Sequence, residues 1–361
     1  MPDHRTLATE LGTALGMLGF DTPAVAIAAR PGALHLTDET WEQLDEAADS
    51  ARHQADLARA FANGEAFLTA DSGLRGRRPE LIEWTGGRRP PGDEVAPIDL
   101  RIDHVFLVSC KYESDILANA SPARVFEGLL ATSGSWDRRD WYASVATTQL
   151  NALYRACRAA TALHALPDTP SACMAEQLAE LRAALPRGGT YPDASSRQAY
   201  AELCRVVSDA SAQRWRAQLA TSGLPPETML WRLLRIGSAP YFVLGHDRSG
   251  GRPARYRIAS PWDWREEFRL VEFTVRAAQA GQPRVDWSAL VRHRAGGAEQ
   301  RVAGHVEVRW SHGRFAQPPE AKVYLDTPMA DLPGYHPLVP DAQEPTRGAC
   351  DEGQLTLWSD R

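Results

Sequence analysis

The chain has 361 residues, 43% hydrophobic and 24% charged, with a formal net charge of −6. That length buries a large core and divides most naturally into two domains. The acidic balance argues against a nonspecific nucleic-acid coat but leaves room for a local basic groove, and no apolar run nears the roughly 20 residues that span a bilayer.

Residues 3–18 and 38–62 predict helices. The second has Thr37 as N-cap, acids in its first turn and Asn63-Gly64 as its stop signal. From 64 to 112 the pattern turns to short β-rich runs, ELIEW, PIDLRI and HVFLVSCKY, separated by Gly, Pro and Arg, which predicts a three-stranded meander. Ser121-Pro122 opens a further helix, and the chain then reads as almost wholly helical to about 235, interrupted at LPDTP, PRGGTYPD and SGLPP. After Gly237, YFVLG, RYRIAS, FRLVEFTV, HVEVRW and AKVYL read as strands. The expected fold is α+β or α/β: a small mixed sheet flanked by helices, a long helical middle and a β-rich C-terminal domain. The expected boundaries are 1–235, 236–340 and a polar tail at 341–361.

The N-terminus carries no basic start followed by a cleavage site, which predicts no secretory signal. Five scattered cysteines never form a CxxC pair, which disfavours zinc or a disulfide framework and points to the cytoplasm. No GxxxxGK[ST], GxGxxG, GxSxG or HExxH motif is present, so nucleotide-triphosphate, dinucleotide, serine-hydrolase and zinc-protease readings have no support.

Among 40 Lys and Arg residues only Lys111 and Lys322 are lysine. Arginine replaces lysine freely as surface charge, but not where a compact ammonium must point at one oxygen or trade a proton. Both lysines end an acid-or-hydroxyl, any, lysine unit on an apolar run: Ser109-Cys110-Lys111 and Glu320-Ala321-Lys322.

Asp99 precedes Ser109-Cys110-Lys111 by a run that reads as a hairpin turning near Arg101–His104, with Asp103 in the turn. Ser109 and Lys111 then share a strand face, and Asp99 starts the neighbouring strand. Carboxylate, hydroxyl and ammonium converge on one point, which is the requirement of metal-assisted phosphodiester hydrolysis. The Cys110 carbonyl adds a further oxygen for a hard cation.

With Pro97-Ile98-Asp99 ahead of it, this PID…VSCK unit resembles the PD-(D/E)xK nuclease superfamily, the restriction-endonuclease-like fold of many restriction, repair and defence nucleases. The resemblance covers residues 60–130, about a fifth of the chain, and departs from the family pattern at Ser109, where Glu or Asp is usual. It implies a Mg²⁺- or Mn²⁺-dependent DNA endonuclease of restriction or phage-defence type, in which paired copies cut both strands. Asp99, Ser109 and Lys111 are its expected catalytic residues. Family members often draw another carboxylate from a helix before the first strand. Glu65 is the best-placed residue for that role, with Glu83 and Glu113 in reserve. Asp99, Glu65 and the Cys110 carbonyl are then the metal ligands. A noncatalytic nucleic-acid-binding protein on the same scaffold is the alternative, and an enzyme acting on small nucleotides or sugars is a third class.

Arg75, Arg77, Arg78, Arg88 and Arg89 suit phosphate contact, although acids are interleaved among them. Around the second lysine, Glu307, Glu320 and Lys322 admit three readings. They form a catalytic unit of their own with Glu307 or Asp286 on a metal, they complete the first site, or they belong to a DNA-contacting strand pair with Arg309, Trp310, His312 and Arg314. Trp262, Trp264, Trp287 and Trp310 are expected to serve chiefly as core.

Overall fold

A computed structural model describes residues 3–86, 97–112, 116–131, 139–186, 190–247, 252–279 and 281–340. The carboxylate of Asp3 accepts the Thr6 amide and starts α1 (His4–Gly16), and Thr22 with Pro23 starts α2 (Pro23–Ala29). Thr37 caps α3 (Asp38–Asp49) as its sequence predicts. The predicted helix over 38–62 is in fact two, because the chain turns at residues 50–53 and restarts as α4 (Gln54–Thr69). Asn63-Gly64 does not stop α4 but lies inside it. A Cβ on Gly64 would stand 2.1 Å from the Thr13 carbonyl oxygen, and one on Gly16 would stand 2.0 Å from that of Phe61. Glycine is there to let α1 and α4 touch backbone to backbone.

The expected meander follows as β1 (Ile82–Trp84), β2 (Leu100–Ile102) and β3 (Phe106–Tyr112), each antiparallel to the last. The β2–β3 turn places Asp103 and His104 at φ 48° and 58°; the Val105 amide closes it onto the Ile102 carbonyl, and Ile102 pairs with Phe106, so three residues form the loop. The Asp103 side chain also accepts the amides of Glu80 and Leu81, so it braces the turn against the start of β1.

β4 (Ile116–Ala120) comes next, a strand that the sequence pattern does not announce. The helical middle comprises α5 (Pro122–Phe126), α6 (Trp141–Val145), α7 (Thr147–Ala160), α8 (Ala175–Ala184), α9 (Ala194–Thr221) and α10 (Pro226–Leu233). After it come β5 (Tyr241–His246), β6 (Pro253–Ile258), α11 (Pro261–Glu267), β7 (Phe268–Gln279), β8 (Pro283–His293), β9 (Glu299–Arg309), β10 (Glu320–Leu325) and β11 (Tyr335–Pro337).

These strands form two sheets, ordered β1-β2-β3-β5-β6-β11 and β4-β10-β9-β8-β7. The boundary expected at 235/236 is therefore crossed in both directions. β5 pairs parallel with β3, so the helical middle serves as the crossover that a parallel pair requires, and β4 pairs with β10 in the other sheet. The unbroken apolar run of β5 has its cause here, since a central strand is buried on both faces. Phe242 and Leu244 pack with α1–α4, while Tyr241 and Val243 pack with the helical middle and the second sheet. In β8, Val285, Trp287, Ala289 and Val291 point inward and Arg284, Asp286 and Ser288 outward. Trp264 and Trp287 are core, as expected, whereas Trp262 is 72% exposed. No helix among the described residues is long and apolar enough to cross a membrane.

Candidate functional site

The β2–β3 register ends at Leu100 opposite Val108. Just before β2, the Asp99 amide donates to the Val108 carbonyl and the Asp99 carbonyl accepts from the Thr85 amide. With its backbone fixed in this way, Asp99 turns its carboxylate onto the part of β3 that β2 no longer reaches. Its Oδ2 accepts the Cys110 amide at 2.6 Å and the Ser109 hydroxyl at 3.3 Å. Asp99 thus meets Ser109 and the Cys110 amide across the hairpin. Ser109 is fully buried, so its hydroxyl orients Asp99 from within.

Lys111 is half-buried on β3 opposite Gly245 of β5. A Cβ at 245 would lie 1.6 Å from the Lys111 carbonyl oxygen, so the glycine sets how closely β5 approaches the lysine backbone. One residue on, the Tyr112 hydroxyl meets Thr13 of α1 at 2.8 Å and Asn63 of α4 at 3.1 Å. Asn63 also donates to the Gly245 carbonyl at 3.0 Å and accepts from Arg255 at 2.8 Å. This buried polar network locks both helices against the end of β3.

Sequence reasoning passes over Glu10. It is the one acid within α1 (HRTLATELGTALG), and its Oε2 accepts the indole N–H of Trp84 at 2.6 Å. Burial pushes its carboxyl up to about 7 and the Asp99 carboxylate pushes the same way, while the Trp84 hydrogen bond and the Lys111 ammonium pull it down. Glu10 therefore lies within electrostatic reach of both Asp99 and Lys111. The available signal was a lone carboxylate in a helix whose neighbours Leu7, Ala8, Leu11 and Ala14 are all buried. Burial, followed by the charges of Asp99 and Glu10, holds the Cys110 thiol well above its ordinary range.

Glu65 does not fill the role expected of it. Because α4 continues past Gly64, Glu65 is an exposed helical residue, and its charge acts on Arg255. Glu83 is exposed and 3.1 Å from His104. Glu113, Arg88, Arg89 and the 341–361 tail lie outside the described residues.

The second lysine unit sits on β9 and β10. Lys322 is opposite Glu307 and lies 3.9 Å from Glu320, which also accepts from Asn119 at 3.2 Å and from Ser311. The Ser311 bond is the main cause of the lowered Glu320 carboxyl. Glu307 lies 3.5 Å from Arg309 and 3.8 Å from His305, and Asp286 lies 2.6 Å from Arg284. Each of these carboxylates is already engaged. Among the described residues no cluster of three or more His, Cys, Asp or Glu is disposed around a metal.

The arginines expected on nucleic acid divide between two places. Arg75 is engaged with Asp71 at 3.2 Å, Arg78 bonds the Gly19 carbonyl at 3.2 Å, and Arg77 is exposed. Arg309 and Arg314 line a cavity beyond the end of β9. No family model, no curated protein and no solved structure matches this chain.

Proposed function

We propose that the protein is a Mg²⁺-dependent endonuclease hydrolysing phosphodiester bonds in DNA, of restriction or phage-defence type. The observation that carries this reading is the Asp99 carboxylate hydrogen-bonded onto Ser109 and Cys110, one residue before Lys111 on the same strand, with the buried Glu10 carboxylate held by Trp84 near enough to feel both charges. A helix carboxylate, an aspartate ahead of a strand and a lysine on the next strand are the parts that the PD-(D/E)xK resemblance implies. The meander continued by a parallel fourth strand is a mixed sheet flanked by helices, in keeping with that resemblance.

The residues fit a hard divalent cation. Burial and then the Asp99 charge raise the Glu10 carboxyl, and a cation held by the two carboxylates would offset their repulsion. The donors are oxygens, and Mg²⁺ binds one or two carboxylates while keeping several waters. Glu10 and Asp99 would hold such an ion, which would supply positive charge to the phosphoryl oxygen and acidity to water, and Ser109 fixes the rotamer of Asp99. Lys111 faces the charge that develops on the phosphoryl group and orients the attacking oxygen. Exposed arginines hold the strand by its phosphates, and pairing of two copies brings two such sites to a duplex.

A second reading, a noncatalytic nucleic-acid-binding protein, is favoured by the burial of Ser109, which puts a neutral hydroxyl where the family pattern has an acid. Incubation of the purified protein with plasmid DNA and Mg²⁺ separates the two. Nicked or linear product is expected from the wild type, and Lys111→Ala is expected to bind without cutting. An undiminished rate in Lys111→Ala would overturn the assignment.

A further inference from the structure

We propose that the cavity between the end of α8, the start of α9 and the β9–β10 loop is a binding site for a single nucleotide unit, a flat base with its phosphate. This goes beyond the Asp99 reading and stands without it. The cavity encloses about 380 Å³, within the roughly 300–1,000 Å³ range of small-molecule sites.

Its walls combine flat rings with cations. Tyr191 and Tyr200 stand with ring centroids 4.7 Å apart at 32°. The Arg314 guanidinium lies 4.1 Å from the Tyr191 ring centre and is pinned by the Pro186 and Thr190 carbonyls at 3.2 and 2.7 Å. Arg182 and Arg309 also line the space, and no described carboxylate does. Burial holds both tyrosine hydroxyls above their ordinary range, so they remain neutral donors.

Trp310 completes the lining, braced by Tyr142 and Phe315 at 4.7 and 5.1 Å. Its indole N–H is buried and has no acceptor among the described residues. Rings suit a base face, and guanidinium forks suit a phosphate. An inorganic anion would leave the rings unused, and a cation would meet three arginines.

The test is titration of the full chain, without divalent cation so that the Asp99 site stays silent. The probes are deoxyadenosine monophosphate, deoxyribose 5-phosphate and a fluorescein-labelled twelve-nucleotide single strand. Deoxyadenosine monophosphate or the strand is expected to bind, and deoxyribose phosphate is expected to bind at least about tenfold more weakly. Arg182→Glu, at a half-buried helix-end position, is expected to weaken binding about tenfold or more. Tyr200→Ala is expected to do so by roughly tenfold, and melting curves show whether each variant is folded. Binding of the mononucleotide identifies a free nucleotide as ligand, whereas binding of the strand alone identifies a nucleotide within a chain. No binding of either, equal binding of deoxyribose phosphate, or unchanged affinity in Arg182→Glu overturns the proposal.

Discussion

Trp84 of β1 donates its indole N–H to Glu10 of α1 at 2.6 Å, across 74 residues of sequence. The bond ties the first helix to the edge of the meander and aims its one carboxylate toward Asp99. Burial and Asp99 then raise Glu10 from an ordinary 4.5 to about 7.

That shift fixes the sign of a stability effect. Between these two values the folded chain keeps a proton that the unfolded chain has lost, so stability falls as pH rises. The contribution is fully present below about 4.5 and is gone once pH has passed about 7, with a ceiling of about 3 kcal/mol. Without divalent cation, the melting temperature is expected to drop between about pH 5 and about pH 8. Glu10→Gln keeps an acceptor for Trp84 and is expected to flatten that slope and to melt higher than wild type at the upper pH. Equal slopes in the two proteins would show that Glu10 does not titrate in this range.

Lys111→Arg is the informative partner to Lys111→Ala. A planar guanidinium is larger and does not give up its proton, so it is expected to keep the charge but not the rate. In plasmid cleavage both variants are expected to fall by about a hundredfold or more, while retention of DNA on a filter stays within about twofold of wild type. Recovery of the rate by arginine would reduce the role of Lys111 to simple charge.

Gly245 and Asn63 support the site from behind. Gly245→Ala forces a methyl onto the Lys111 carbonyl and is expected to cost about 1–3 kcal/mol or more in urea unfolding. Asn63→Leu leaves the Gly245 carbonyl and Arg255 without their partner, which is expected to cost about 1–3 kcal/mol for each group left unpaired. A loss below about 0.5 kcal/mol in either variant would mean that the strand and helix ends rearrange freely.

The meander was legible because its signals are local. Polar residues within Arg101–His104 mark the hairpin turn, and the apolar runs on either side of it mark strands. The pairing of β3 with β5 was not legible, because nothing in either run records which strand will lie beside it after a long helical crossover. Gly64 misleads for a similar reason, since a glycine that ends a helix and one that admits another helix look alike in sequence. A lone acid such as Glu10 reads as surface charge until the all-round burial of α1 is known. Asp99 and Ser109 were legible as a pair because the hairpin between them brings the carboxylate onto β3 whatever the rest of the chain does.

Lys322 tests the meaning of the scarcity of lysine. Its ammonium lies 3.9 Å from Glu320 and opposite Glu307 of β9, which is itself paired with Arg309, and a partly exposed pair that long contributes about 0–1 kcal/mol. Lys322→Ala is expected to cut DNA at the wild-type rate and to lose about that much stability. A rate falling as far as that of Lys111→Ala would move the chemistry to the second sheet.

Calorimetric titration with Mn²⁺ at about pH 6 and about pH 8 addresses the shared cation most directly, because a carboxylate must lose its proton to bind the ion. The wild type is expected to bind with proton release at the lower pH and more tightly at the higher one, and both Glu10→Gln and Asp99→Asn are expected to abolish the heat. Absence of binding in the wild type, or an unchanged isotherm in either variant, would contradict a cation held between Glu10 and Asp99.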